Sequence, residues 1–112
     1  MGLRMGFDVS DLSFALIEQL RPLVSRIRAR DRPLADQLMR AASSIALNIE
    51  EARGLDLGNQ RSRFSTASGS AKESRAALRL AVGWRHIQAA EADQPLQTLD
   101  RIIAMLWKIT RR

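Results

Sequence analysis

Leu34-Ala35-Asp36-Gln37-Leu38-Met39-Arg40-Ala41-Ala42-Ser43-Ser44-Ile45-Ala46-Leu47-Asn48-Ile49-Glu50-Glu51-Ala52 decides the fold class. Leu34, Leu38, Ala41, Ala42, Ile45, Ile49 and Ala52 recur at steps of three and four residues. That spacing gathers side chains on one side of an α-helix, whereas a half-buried strand alternates apolar and polar residues. The flanking residues agree. Asp31 is a cap candidate two residues ahead of Pro33, whose fixed φ suits a first helical turn, and Gly54 is a candidate for the position just past the end. A helix over 33–53 is predicted.

The same pattern repeats on either side. Gly54-Leu55-Asp56-Leu57-Gly58-Asn59 offers Asn59 as the next cap, and Glu91-Ala92-Asp93-Gln94-Pro95 repeats the Asp-then-Pro sequence. Helices are expected over 10–30, 33–53, 60–90 and 94–111. The first carries the stripe Leu12, Leu16, Leu20, Leu23, Val24 and Ile27; the fourth carries Leu96, Leu99, Ile103 and Leu106, broadened by Ile102, Trp107 and Ile109. Connections this short join antiparallel neighbours. The expected fold is all-α, an antiparallel up-and-down four-helix bundle with short loops, occupying residues 1–112 as one domain. Pro22 removes a backbone hydrogen bond inside the first helix. Both a kink and a break fit it, although Leu20, Leu23 and Ile27 keep the stripe in phase across it.

Composition narrows the function. With 46% hydrophobic and 27% charged residues, the chain sits near the globular average and is no disordered tail. The lack of cysteine excludes a disulfide scaffold, thiolate zinc, iron–sulfur ligation and a cysteine nucleophile. His86, the single histidine, leaves little for acid–base work and is expected at the surface, so neither a metal nor a cofactor is expected. No apolar run approaches bilayer length, and Met1-Gly2-Leu3-Arg4-Met5-Gly6 lacks the apolar core of a signal peptide. A cytoplasmic protein with no membrane partner is expected. The balance of 18 basic against 12 acidic residues, +6, favours polyanionic partners.

The third segment carries two seams. Phe64, Ala67, Ala71, Ser74, Leu78 and Val82 form one; Ser62, Thr66, Gly69, Glu73, Ala76, Leu80 and Trp84 form another. A helix in a monomeric bundle needs one core face, so the second seam, rich in small residues that permit close backbone approach, points to burial against another subunit. A wide core along a long helix would also use it. Between the seams, Arg61, Lys72, Arg75, Arg79 and His86 fall in one narrow sector at 100° per residue, with Ser65 and Ser68 nearby. Guanidinium groups spaced at helical turns suit phosphate oxygens; a solvated face paired with neighbouring carboxylates is the other use of such a stripe. Arg21, Arg26, Arg28, Arg30 and Arg32 load the end of the first helix, where cations also suit a helix C-terminus.

Along the second helix Gln37, Ser44, Asn48 and Glu51 share one edge. Serine and asparagine are poor helix formers, so their mid-helix placement points to side-chain bonding that locks register or an interface. Glu51 and Glu73 stand without a nucleophile, metal-ligand cluster or phosphate loop, so no catalytic residue is expected.

The run from Ala35 through Glu51, followed by Ala67-Ser68-Gly69-Ser70-Ala71-Lys72-Glu73, resembles the bacterial four-helix-bundle proteins encoded in intervening sequences of 23S rRNA genes. Gln37, Arg40, Ser44, Asn48, Glu51, Gly69, Ser70 and Glu73 occupy its motif positions. The family has glycine directly after the Glu51 position, where this chain has Ala52 and then Gly54. The resemblance implies a ring of five identical subunits. It also implies similarity to the accessory proteins of diversity-generating retroelements, basic barrels that partner a reverse transcriptase and its RNA. The expected function is a non-enzymatic, oligomeric bundle that binds RNA or DNA through Arg61, Lys72, Arg75 and Arg79, with Trp84 and the motif residues in packing and interfaces. The alternatives, from other classes, are a protein–protein adaptor for an acidic partner or a polymerase such as a reverse transcriptase, and a structural oligomer of unassigned role.

Overall fold

A computed structural model describes the backbone of residues 2–111 and the side chains of residues 9–111. Four helices follow in chain order: α1 (Gly2–Arg30), α2 (Arg32–Ala52), α3 (Leu57–Gly83) and α4 (Ala89–Thr110). Each packs on its chain neighbour, and α4 closes the ring on α1. The body measures 43 × 23 × 20 Å; its two short axes are each about two helix diameters, as in a two-by-two bundle. Antiparallel pairing shows in the cross-links: Ser10 of α1 bonds Glu50 late in α2, and Arg28 late in α1 pairs with Asp36 early in α2.

The stripe read from α2 is buried throughout, Leu34, Leu38, Ala41, Ala42, Ile45, Ile49 and Ala52 alike. It meets Leu16 and Ile27 of α1, Leu78 of α3, and Leu99, Ile102 and Leu106 of α4 in one core. Each such leucine or isoleucine contributes about 1.5–3 kcal/mol by leaving water. α3 offers mostly alanine to that core, Ala67, Ala71, Ala77 and Ala81, so its backbone can lie close to its neighbours. In α4 it is Ile102 that lies in the centre, while Trp107 is 55% exposed, outside the stripe it was expected to broaden.

Several boundaries differ from expectation. α1 runs unbroken through Pro22 and begins before residue 10. α2 starts as expected, with an Asp31 oxygen accepting from the Leu34 N–H at 3.1 Å. Gly54 is not a left-handed cap, since no glycine there has positive φ. Asp56, not Asn59, caps α3: its carboxylate accepts from the backbone and side-chain nitrogens of Asn59 at 2.9 and 3.0 Å. α3 stops at Gly83, short of residue 90. There the His86 N–H reaches back to the Ala81 carbonyl and the Arg85 N–H to that of Val82, both at 2.9 Å, with Arg85 at φ 62°. This is a Schellman ending with arginine in the left-handed position usually given to glycine. α4 starts at Ala89, ahead of Pro95, through a capping box in which the Gln88 N–H donates to Glu91 Oε1 at 2.8 Å.

Candidate nucleic-acid interface

α3 builds two surfaces. Ala67, Ala71, Ser74 and Leu78 point into the core, whereas Ser62, Thr66, Gly69, Glu73, Ala76, Leu80 and Trp84 lie outside it, with Leu80 and Trp84 52% and 69% exposed. The second seam is therefore not part of a wide core in this chain. Leu80 and Trp84 line a shallow depression with Ala76, Arg79 and Gly83. A Cβ built on Gly69 would meet no atom within 4 Å.

The basic sector lies on the edge of α3 that faces α4, because Arg75 Nη1 donates to Asp100 Oδ1 at 2.9 Å. Lys72 and Arg79, one turn to either side, are exposed, and their side chains make no hydrogen bond or ion pair with a described residue. Arg61 is exposed near the start of the helix. His86 departs from the stripe: it falls in the α3–α4 connection, largely covered, with Nε2 3.2 Å from Asp31 Oδ2. The arginines at the end of α1 are largely tied up, Arg21 by Glu18, Arg26 by Glu91 and Arg28 by Asp36. The Gln88 amide and the Arg26 guanidinium hold the Glu91 carboxyl below the usual carboxylate range. The Asn59 amide and side chain do the same for Asp56.

The motif residues divide into two groups. Ser44 Oγ and Ser70 Oγ lie 2.8 Å apart across α2 and α3, and Asn48 Nδ2 donates to the Ser44 carbonyl at 2.8 Å and to its Oγ at 3.0 Å. Arg63, which the periodicity gave no reason to single out, extends this chain of bonds: its Nη1 lies 3.5 Å from Asn48 Oδ1 and 3.1 Å from Glu51 Oε1. Nothing in the spacing marks it, because its partners lie in another helix. The side chains of Gln37, Arg40 and Glu73 make no hydrogen bond or ion pair with a described residue. Glu51 pairs with Arg63 and Glu73 stands alone, so the two carboxylates do not form a pair. Trp107 is a further surface residue that the stripe pattern conceals; the Arg111 guanidinium carbon sits 4.2 Å from the centroid of its ring.

Among the described residues no group of three histidine, cysteine, aspartate or glutamate side chains could hold a metal ion. No described helix is long and apolar enough to cross a membrane.

The sequence profile of the 23S rRNA-intervening sequence protein family matches residues 6–108. Among curated proteins none matches the chain. A crystal structure of a protein of unknown function from the S23 ribosomal protein family of Bacteroides thetaiotaomicron superposes with a TM-score of 0.86 at 20% identity, covering 93% of this chain and 99% of that one. That likeness shows the four-helix fold.

Proposed function

The chain belongs to the family of 23S rRNA-intervening sequence proteins, and from that premise we propose that it is a non-enzymatic, oligomeric bundle that binds RNA through the α3 edge facing α4. The observation that carries this reading is the state of its cations. Only Arg75 of the central three is tied to a carboxylate, while Lys72 and Arg79 stay in solvent without an acidic partner among the described residues. A stripe whose purpose was to pair with neighbouring helices would leave fewer of them open. Repetition of the stripe around a ring, five copies by family resemblance, multiplies it into a band that can follow a phosphate backbone. The exposed second seam of α3, with the small residue Gly69 at its middle and Leu80 and Trp84 at its end, supplies the subunit contact in this reading. Partnership with a reverse transcriptase, as resemblance to retroelement accessory proteins implies, would place the same band against that enzyme's RNA.

Binding of a structured RNA measured across a salt series tests the proposal. The affinity should fall steeply with salt, and Lys72→Ala with Arg79→Ala should flatten the log–log slope by about two, roughly one for each phosphate no longer neutralised. Affinity indifferent to salt, or a double variant that binds like the parent, would return the stripe to a solvated face and favour the adaptor.

A further inference from the structure

Trp107 occupies an unusual place in the bundle. It lies two turns beyond Asp100 on α4, hence on the same edge, and Asp100 is the residue that Arg75 of α3 holds at 2.9 Å. Because the two helices run antiparallel, the turn of α3 before Arg75, where Lys72 sits, runs beside the turns of α4 after Asp100. By that register Lys72 lies on the α3 edge that neighbours this part of α4. Trp107 itself lines a shallow depression formed by α4 alone, with Asp100, Ile103, Ala104, Met105 and Lys108. The indole is 55% exposed although Arg111 already covers one face at 4.2 Å, so the open area belongs to the rest of the ring.

We propose that this depression is a stacking site for an unpaired base of single-stranded RNA, with Trp107 as the platform, Lys108 on a flanking phosphate, and Lys72 of the neighbouring α3 edge on the next. The inference rests on the RNA-binding reading above and deepens it, since a band of cations alone takes any polyanion, whereas an open indole takes the flat face of a base that is not already stacked. Charge complementarity selects this occupant over an apolar protein segment. Two cations adjoin the indole, Arg111 stacked on it and Lys108 beside it in the depression, and the depression's single carboxylate is engaged by Arg75. Arg111, stacked on one face, fixes the plane of the ring and leaves the opposite face for a base.

Tryptophan fluorescence tests this with two probes, a short oligouridylate and a duplex RNA of equal length. Oligouridylate should quench the parent, and the quenching should vanish in Trp107→Phe, where Trp84 is the remaining emitter. Phenylalanine still stacks, so that variant should keep most of its affinity. Trp107→Ala, checked for helicity by circular dichroism, should bind oligouridylate about five- to hundredfold more weakly, the range that loss of one base–aromatic stack gives, while duplex affinity changes little. Quenching that persists in Trp107→Phe, or a Trp107→Ala variant that binds oligouridylate like the parent, overturns the stacking site. Salt-dependent duplex binding alongside either result leaves the RNA-binding reading standing; failure of both probes to bind at low salt removes both.

Discussion

Gly69 gives the bundle its sharpest test, because its substitution has opposite expected signs within one chain and between chains. It lies in the middle of α3, where glycine costs roughly 0.5–1 kcal/mol relative to alanine through the freedom it loses on folding. The space outside it is empty: a Cβ would touch nothing within 4 Å. Gly69→Ala should therefore stabilise the single chain by that amount, raising its midpoint by roughly 2–4 °C for a domain of this size. Gly69→Leu should keep about the same gain, since leucine is nearly as good a helix former and finds open solvent. In an assembly that closes on the second seam, the same leucine would hold two helix backbones apart. Light scattering with thermal unfolding at several protein concentrations separates the effects. The expected result is a helical Gly69→Leu chain with the mass of a smaller species than the parent, more heat-resistant than the parent at dilutions where the parent is also dissociated. A parent mass equal to one chain, or a Gly69→Leu variant that assembles normally, would remove the seam as an interface; a loss of stability in Gly69→Ala at concentrations where the chain is alone would contradict the open space around α3.

Three further outcomes follow from local geometry. Arg85→Gly should stabilise the chain by about 1 kcal/mol, because it relieves a side chain held at φ 62°; a lower urea midpoint would show that the arginine makes a compensating contact. Asn48→Ala should cost about 1–2 kcal/mol, the removal of two donated bonds at a side chain only 9% exposed, and an unchanged midpoint would show that the α2–α3 polar bonds are incidental. Glu91 is held below the usual carboxylate range by the Gln88 amide and Arg26, so its contribution is present above the ordinary glutamate value and fades as pH falls through its lowered folded value. The stability gap between the parent and Glu91→Gln should thus close on acidification, and a gap that stays constant from neutral to acid pH would refute the assignment.

Sequence and structure agree where local signals and packing point the same way. α2 is the clearest case: Asp31 and Pro33 announce its start, its stripe is its buried face, and it ends at Ala52 although the family's glycine is displaced to Gly54. The C-terminus of α3 is illegible for a definite reason. Its ending uses the hydrogen bonds of a glycine stop but places Arg85 in the left-handed position, so the residue that normally signals a stop is missing. The start of α4 is masked because Asp93-Gln94-Pro95 mimics a cap, while the actual one relies on Gln88 and Glu91, whose mutual bonding is visible only once the backbone has turned. In the candidate site, periodicity sorts α3 correctly into a buried seam and an exposed one. It does not tell which basic side chains find carboxylates, because Asp100 and Asp31 come from other parts of the chain, nor that Trp107 faces outward.

Asp31 is the whole connection between α1 and α2. Its backbone leaves the helical region at φ −153° and ψ 83°, while its two carboxylate oxygens serve the Leu34 amide and His86 of the opposite connection. A link of one residue leaves no slack: if that residue turned helical, α1 and α2 would fuse into a single rod with no core to lie on, and the only way to bury its stripes would be to exchange hairpins with a second molecule. Folding back and domain swapping are thus separated by the conformation of one aspartate, held open by its own cap and by a histidine from the other hairpin.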